Sequence, residues 1–347
     1  MPAGSIDSER LKSSDLLRID SFKLLSLWDD EFKASLRFTR YWYQKLYSSL
    51  LKDARVLEIG PGMGFDGIHF SGLAKHWTYC DVALENLEVI KRVSTLKGLS
   101  EADTLHIDGI SAFDKLASDY DVVWAIGSIH HVPFELAAEE SRAILRRLKP
   151  NGRWIELVYP PERWAREGAV PFERWGTMTD GESTPWVEWY NEQKLKRRLF
   201  PAVMRTILDM PLYSSSCWWI DLEHTGDTHD FEPQEKSIDL PTSVSGEVGI
   251  WRQCAIIDID LSDMKPSKLG LALDLDCTIH RGTLGFGFLN KDGHFVGEEM
   301  ILSNRDFPQY ITIQTDNPAA ARSLSIRNAG DSATSMTIHG AVVRPRI

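Results

Sequence analysis

Hydrophobic positions change their period twice along this chain, and each change marks a different kind of element. Between residues 15 and 51 they recur at helical spacing, through Leu16, Ile19, Phe22, Leu24, Leu27, Trp28, Phe32, Leu36, Tyr41, Trp42 and Leu46, which predicts one or two helices. Short apolar runs then alternate with helix-length stretches, with strands expected at 56–59, 77–81, 104–110, 120–126 and, after a Pro150-Asn151-Gly152 turn, 153–157. Strands alternating with helices predict an α/β fold around a parallel sheet. Past residue 245 the period falls to two, over 255–261, 271–276, 283–289, 310–314, 323–328 and 335–340, with turns at 290–293 and 328–331. That pattern predicts an all-β domain, a sandwich or jelly roll. Residues 1–13 are polar and expected to fray.

The chemistry concentrates where the first strand breaks into Glu58-Ile59-Gly60-Pro61-Gly62-Met63-Gly64. Three glycines at alternate positions permit positive φ and strip the turn of side chains, so a ligand can lie against bare backbone at the carboxyl end of that strand. Glu58 adds a carboxylate, which would repel a pyrophosphate and attract a ligand carrying a sulfonium and an α-amino group. The stretch from Gly62 to Gly67 also fits the G-x-G-x-x-G fingerprint of dinucleotide sites, so the turn alone leaves two cofactors open. Asp81 ends the second strand about 20 residues on, the spacing at which a carboxylate meets ribose hydroxyls in either case. Asp108 ends the third strand, and Ile126-Gly127-Ser128-Ile129-His130-His131 follows the fourth.

These landmarks, in this order, resemble the class I S-adenosylmethionine-dependent methyltransferases over about residues 50–222, half the chain. The resemblance implies a Rossmann-like fold with a seven-stranded sheet. It implies S-adenosyl-L-methionine as cofactor, held by Glu58, Gly60, Pro61, Gly62, Gly64, Asp81 and Ile126, with Asp108 and Gly109 at the adenine ring. The expected division is a helical cap at 1–50, the methyltransferase domain at 51–222 with a substrate-recognition insert at 160–215, a linker at 223–245 and a β-sandwich at 246–347.

The insert is rich in Trp164, Phe172, Trp175, Trp186, Trp189, Tyr190 and Tyr213, interspersed with arginines and acids. Aromatic faces beside charged hydrogen-bonding groups suit a hydroxyl-rich acceptor, although such a cluster can equally pack upon itself. Tyr159, Trp186, Trp189 and Tyr190 are the expected substrate contacts. An in-line transfer to a hydroxyl needs a base within reach, and histidine has a suitable pKa. His130 and His131 are candidates, with Glu156, Tyr159 and His224 as alternatives. A sugar or glycan hydroxyl is the leading acceptor; a secondary metabolite, or a non-catalytic glycan-binding scaffold on the same core, remains open.

Net charge is −11, with no run of consecutive Lys or Arg longer than Lys196-Arg197-Arg198, which argues against nucleic acid as substrate. Cys80, Cys217, Cys254 and Cys277 form no C-x-x-C pair, and the Asp221, Glu223 and His224 side chains alternate along one strand, so no metal site is expected. No apolar run approaches the ~18 residues of a membrane span, and a cytoplasmic protein is expected, with homo-oligomerisation left open. The last tryptophan is Trp251, so an aromatic platform on the β-domain would have to come from Phe286, Phe288, Phe295, Phe307 or Tyr310. A packing or dimerisation role for that domain is favoured over glycan binding.

Overall fold

The computed structural model describes residues 12–37, 39–182, 184–229, 236–259, 264, 270–305 and 308–346. The expectations for residues 1–11, for Asp260 and Leu261, and for Phe307 lie outside these residues. The chain groups into two compact units. The first comprises Met1–Val158, Met204–Met210 and Trp219–Asp227, and the second Tyr159–Val203, Pro211–Trp218 and Thr228–Ile347.

In the first unit, three helices precede the sheet: α1 (Ser13–Leu16), α2 (Ser21–Ser35) and α3 (Thr39–Leu51). The continuous helical pattern is interrupted at Asp20, whose side chain accepts from Lys23 N at 2.9 Å and so caps a new helix. Strands and helices then alternate: β1 (Arg55–Ile59), α4 (Phe65–Phe70), β2 (His76–Asp81), α5 (Leu84–Leu96), β3 (Asp103–His106), β4 (Tyr120–Ile126), α6 (Phe134–Leu145) and β5 (Leu148–Val158). The expected Pro-Asn-Gly turn lies within β5, where Asn151 takes a φ of 62° and the pairing with β4 slips register.

Three further helices, α7 (Pro161–Arg166), α8 (Phe172–Asp180) and α9 (Glu192–Leu199), lead to β6 (Ala202–Leu212) and β7 (Cys217–Thr228). The sheet order is β3-β2-β1-β4-β5-β7-β6. This is a Rossmann-like order over seven strands, as expected. The stretch expected as one insert, 160–215, therefore divides into three helices and a sheet strand. β1 pairs in parallel with both β2 and β4, so successive connections leave it in opposite directions. Ligands of open α/β sheets bind at that reversal, outside the carboxyl ends of the strands. Val56, Leu57 and Val122 to Ala125 are buried, as both faces of a central parallel strand require.

The second unit is built around a β-sandwich, as the period-two pattern predicts. After β8 (Lys236–Ser237) and β9 (Ser243–Gly246) come β10 (Gln253–Asp258), β11 (Leu271–Arg281), β12 (Thr283–Leu289), β13 (Met300–Ser303), β14 (Gln309–Thr315), β15 (Ser323–Asn328) and β16 (Thr334–Pro345). One sheet runs β10-β15-β12-β13; the other runs β14-β11-β16-β8, with β9 also on β16. Their shared core holds Leu273, Leu275, Phe286, Phe288, Ile313, Leu324, Ile326 and Val343. Phe286 and Phe288 thus fill the core and offer no platform. β8, β9 and β13, at two to four residues, are too short to register as a period.

Candidate functional site

The glycine turn is built from three left-handed residues, Gly60, Gly62 and Gly64, with φ of 65°, 57° and 68°. Each glycine has its own reason. A Cβ on Gly60 would lie 2.4 Å from Ser128 Cβ, and one on Gly64 would lie 2.7 Å from Ile90, so both sites are closed by the protein itself. A Cβ on Gly62 would meet nothing within 4 Å. Gly109 and Gly127 are likewise open, and together they leave a cradle at the ends of β1 to β4. Gly127, with φ of 74°, is a lining residue that sequence reasoning did not single out, although it directly follows the fourth strand.

Asp81 is buried at the end of β2 and holds the turn. Its carboxylate accepts from Ala83 N at 2.8 Å and Asn86 Nδ2 at 2.9 Å, and also from the Gly62 N–H. Burial nonetheless pushes its pKa up, those hydrogen bonds opposing the shift. Ile107 N donates to Asp81 O at 2.8 Å, which carries the exposed pair Asp108 and Gly109 to the same rim. Pro61 is buried within the turn, where its carbonyl accepts from Gly64 N at 2.9 Å, and Ile126 is half-buried at the end of β4. Ser128 Oγ donates to Ile59 O at 2.6 Å, tying the β4 rim to β1.

Glu58 lies beneath the turn. It is buried, accepts from Trp77 Nε1 at 2.8 Å and bonds the Gly67 backbone. Burial, reinforced by the Asp66 carboxylate, pushes its pKa well above the ordinary value of 4.5. Burial thus works against the negative charge expected of Glu58, and the acids at the rim are Asp81 and Asp108. A carboxyl kept protonated in the folded chain but ionised when unfolded adds stability at low pH, which is lost as pH rises through the folded value. Glu58→Gln, which keeps an acceptor for Trp77, is expected to flatten the decline of stability above about pH 5, where the free acid ionises. Urea midpoints of both proteins across pH 5–8 measure this, and parallel curves would refute it.

Asp66, in the first turn of α4, is the residue that sequence reasoning missed. It accepts from Tyr43 OH at 2.8 and 3.0 Å, Arg40 Nε at 3.1 Å, Gln44 Nε2 at 3.2 Å and Trp124 Nε1 at 3.2 Å. Its only sequence signal is an acid at a helix start, and its donors come from α3 and β4. The same helical segment is tied down elsewhere: Trp28 Nε1 on α2 donates to Met63 O at 2.8 Å, and Ser13 Oγ on α1 donates to Asn86, the partner of Asp81. α2 is thus hydrogen-bonded to the turn, while α3 bonds α4 and packs Tyr43 and Tyr47 on Trp124 and Trp219 of the sheet.

The base candidates differ in access. His130 and His131 share a single 3₁₀ turn after β4, their rings 4.3 Å apart; His130 is fully buried and His131 half-buried. Glu156 is fully buried on β5, where Trp154 Nε1 donates to it at 2.8 Å. His224 faces Lys149 O at 3.3 Å, at the amino end of β5 and so at the opposite end of the strands from the glycine turn. Asp221 takes Tyr47 OH at 2.7 Å and Arg153, while Glu223 takes Arg205 at 2.6 Å. Among the described residues no cluster of three His, Cys, Asp or Glu could hold a metal ion.

The expected substrate residues Tyr159, Trp186, Trp189 and Tyr190 belong to the second unit. Tyr159 OH donates to Asp180 at 2.9 Å with the Arg163 guanidinium 3.8 Å over its ring, and burial pushes its pKa up. Trp186 is half-buried and donates to Glu188 at 3.3 Å. Trp189 and Tyr190 are buried, with the Lys194 ammonium 4.1 Å from the Trp189 ring and the Arg198 guanidinium 4.7 Å from Tyr190. Much of the aromatic cluster is therefore core. Separately, a cleft of about 550 Å³ opens in the sandwich beside β14, lined by Glu298, Thr312, Gln314, Asp316 and Arg346, none of them an expected site residue. No described helix is long and apolar enough to cross a membrane.

Residues 56–152 match the family model described as "Methyltransferase domain", which supports a class I methyltransferase domain over that stretch. No curated protein matches the chain. Among solved structures, an S-adenosylmethionine-dependent methyltransferase from Clostridium acetobutylicum is similar at 12% identity and a TM-score of 0.42, over 58% of this chain and 98% of that one. A SAM-dependent methyltransferase from Aquifex aeolicus gives 17% and 0.41, over 60% and 100%. The N-methyltransferase NodS from Bradyrhizobium japonicum, solved with S-adenosyl-L-homocysteine, gives 17% and 0.39, over 52% and 84%.

Proposed function

We propose that this chain is an S-adenosylmethionine-dependent methyltransferase that methylates a hydroxyl group, with a sugar or glycan as acceptor. The observation that supports it most is the cradle itself. Gly62, Gly109 and Gly127 each leave open space where a side chain would stand, on the rim that carries Asp81 and Asp108. The residues present fit the cofactor: Asp81 would take the ribose hydroxyls, Asp108 and Gly109 the adenine ring, and the Gly60–Gly64 backbone with Ile126 the remainder. When bound, the cofactor supplies a methyl group already activated by its sulfonium.

The protein's own task is then to align the acceptor and remove its proton. His131 is the favoured base. It is the one of the three β4 and β5 candidates with exposed surface, whereas His130 and Glu156 are enclosed. The sugar assignment rests on the charged and aromatic make-up of residues 160–215. The covered faces of Trp189 and Tyr190 favour a second reading, a smaller hydroxylated metabolite that needs no stacking platform.

Calorimetry with S-adenosyl-L-homocysteine tests the cofactor. Binding is expected, Asp81→Ala should weaken it at least ~10-fold through loss of a charge-assisted contact, and a nicotinamide dinucleotide should not compete. Absence of binding to the parent protein would overturn the enzyme reading. Acceptor class is tested by incubating the protein with labelled S-adenosylmethionine and panels of oligosaccharides and small alcohols. Label appearing only on the alcohols would exclude the sugar.

A further inference from the structure

The outer face of the β14-β11-β16 sheet is covered around Asp274, while His280 and His339 further along the same face are exposed. Core positions along β11 are Leu271, Leu273, Leu275 and Cys277, so strand alternation turns Ala272 and Asp274 the other way. Both are nevertheless buried. Register sets Thr312 and Val342 beside Asp274, and Arg344 beside Ala272. Asp274 accepts from Arg344 at 2.6 and 3.1 Å and from Thr312 Oγ1 at 2.7 Å, and Arg344 is itself only 1% exposed. A charge pair this dry needs a lid of protein.

Residues 159–203 of the same unit supply it. Arg344 Nη2 donates to Gln193 on α9 at 3.2 Å, and Arg197 on α9 lies 3.6 Å from Asp274. The Trp189 and Tyr310 rings lie 4.9 Å apart, and Tyr310 packs on a small core of Trp175, Val187 and Trp189. α7 lies against β14. α9 needs such support: eight residues are too few for a helix to persist alone, and its sequence EQKLKRRL has only Leu195 and Leu199 as apolar residues.

We propose that the β-sandwich is the platform on which residues 159–203 are folded, with Asp274, Arg344 and Tyr310 as its anchors, and that it is not a free-standing glycan module. Calling the anchored segment the acceptor side rests on the proposed function; the anchoring does not. A free module would present this sheet face to solvent. Here the part of the face around Asp274 lies under the segment that holds Trp186, Trp189 and Tyr190.

The test uses the full chain with Tyr310→Ala on the platform, Arg197→Met on the segment and Tyr310→Phe as the conservative variant. Tryptic cleavage between residues 163 and 198, located by mass spectrometry, should accelerate about tenfold or more in the first two through local opening. Tyr310→Phe should stay close to the parent, and cleavage within 270–346 should not change. Affinity for S-adenosyl-L-homocysteine should remain within about twofold. Unchanged protection of 163–198 in both variants would overturn the proposal, as would opening of the sandwich and the segment together. A parent that fails to bind the cofactor product would count against the methyltransferase reading alone, since the proteolysis needs no ligand.

Discussion

Asp66→Ala is expected to remove about 3–5 kcal/mol of stability, the scale of breaking a buried, hydrogen-bonded charge pair. The carboxylate accepts from Arg40, Tyr43, Gln44 and Trp124. Tyr43 and Trp124 are fully buried, so alanine would strand their donors where water does not reach. A loss of that size is a large part of the ~5–15 kcal/mol that holds a typical domain together. Tyr43→Phe, which removes one donor and keeps the ring, should cost only about 1 kcal/mol. Urea unfolding of the three proteins measures both numbers. If alanine at 66 is no worse than phenylalanine at 43, the acid is not the hub described.

The second large effect separates two glycines of one turn. Gly62→Ala should leave the fold nearly intact, costing about 1–2 kcal/mol for an alanine at left-handed φ, because its methyl would meet no protein atom. The same methyl would stand in the cradle, and affinity for S-adenosyl-L-homocysteine is expected to fall at least ~100-fold, about 2.7 kcal/mol. Gly60→Ala should behave in the opposite sense. Its methyl would be driven to within 2.4 Å of Ser128 Cβ, so overpacking adds to the backbone strain and the loss reaches about 2–5 kcal/mol. Melting curves and calorimetry on each variant give a crossed pattern. Equal behaviour of the two would mean that the open side of Gly62 is not where a ligand lies.

What the sequence disclosed and what it hid follow one physical division. Strand and helix periods are local, so β1 to β5, the longer sandwich strands and the glycine turn could be placed from residue order. Partners brought together by folding could not. Asp66 reads as an ordinary helix-start acid until α3 arrives with Arg40, Tyr43 and Gln44. Glu58 reads as an ordinary carboxylate until burial beside Asp66 pushes its pKa up. Trp189 and Tyr190 read as exposed binding faces because nothing local announces Lys194, Arg198 and Tyr310 above them. Asp274, flanked by leucines, gives no hint that its partner is Arg344, 70 residues away.

The hydrogen bonds from Trp28 to Met63 and from α3 to Asp66 have a thermodynamic consequence for whatever enters the cradle. A glycine-rich segment left free would sample many backbone states and surrender that entropy on association. Here the freezing is already done during folding, so the free energy of association is diminished little by ordering the receptor and registers mainly the fit of the guest.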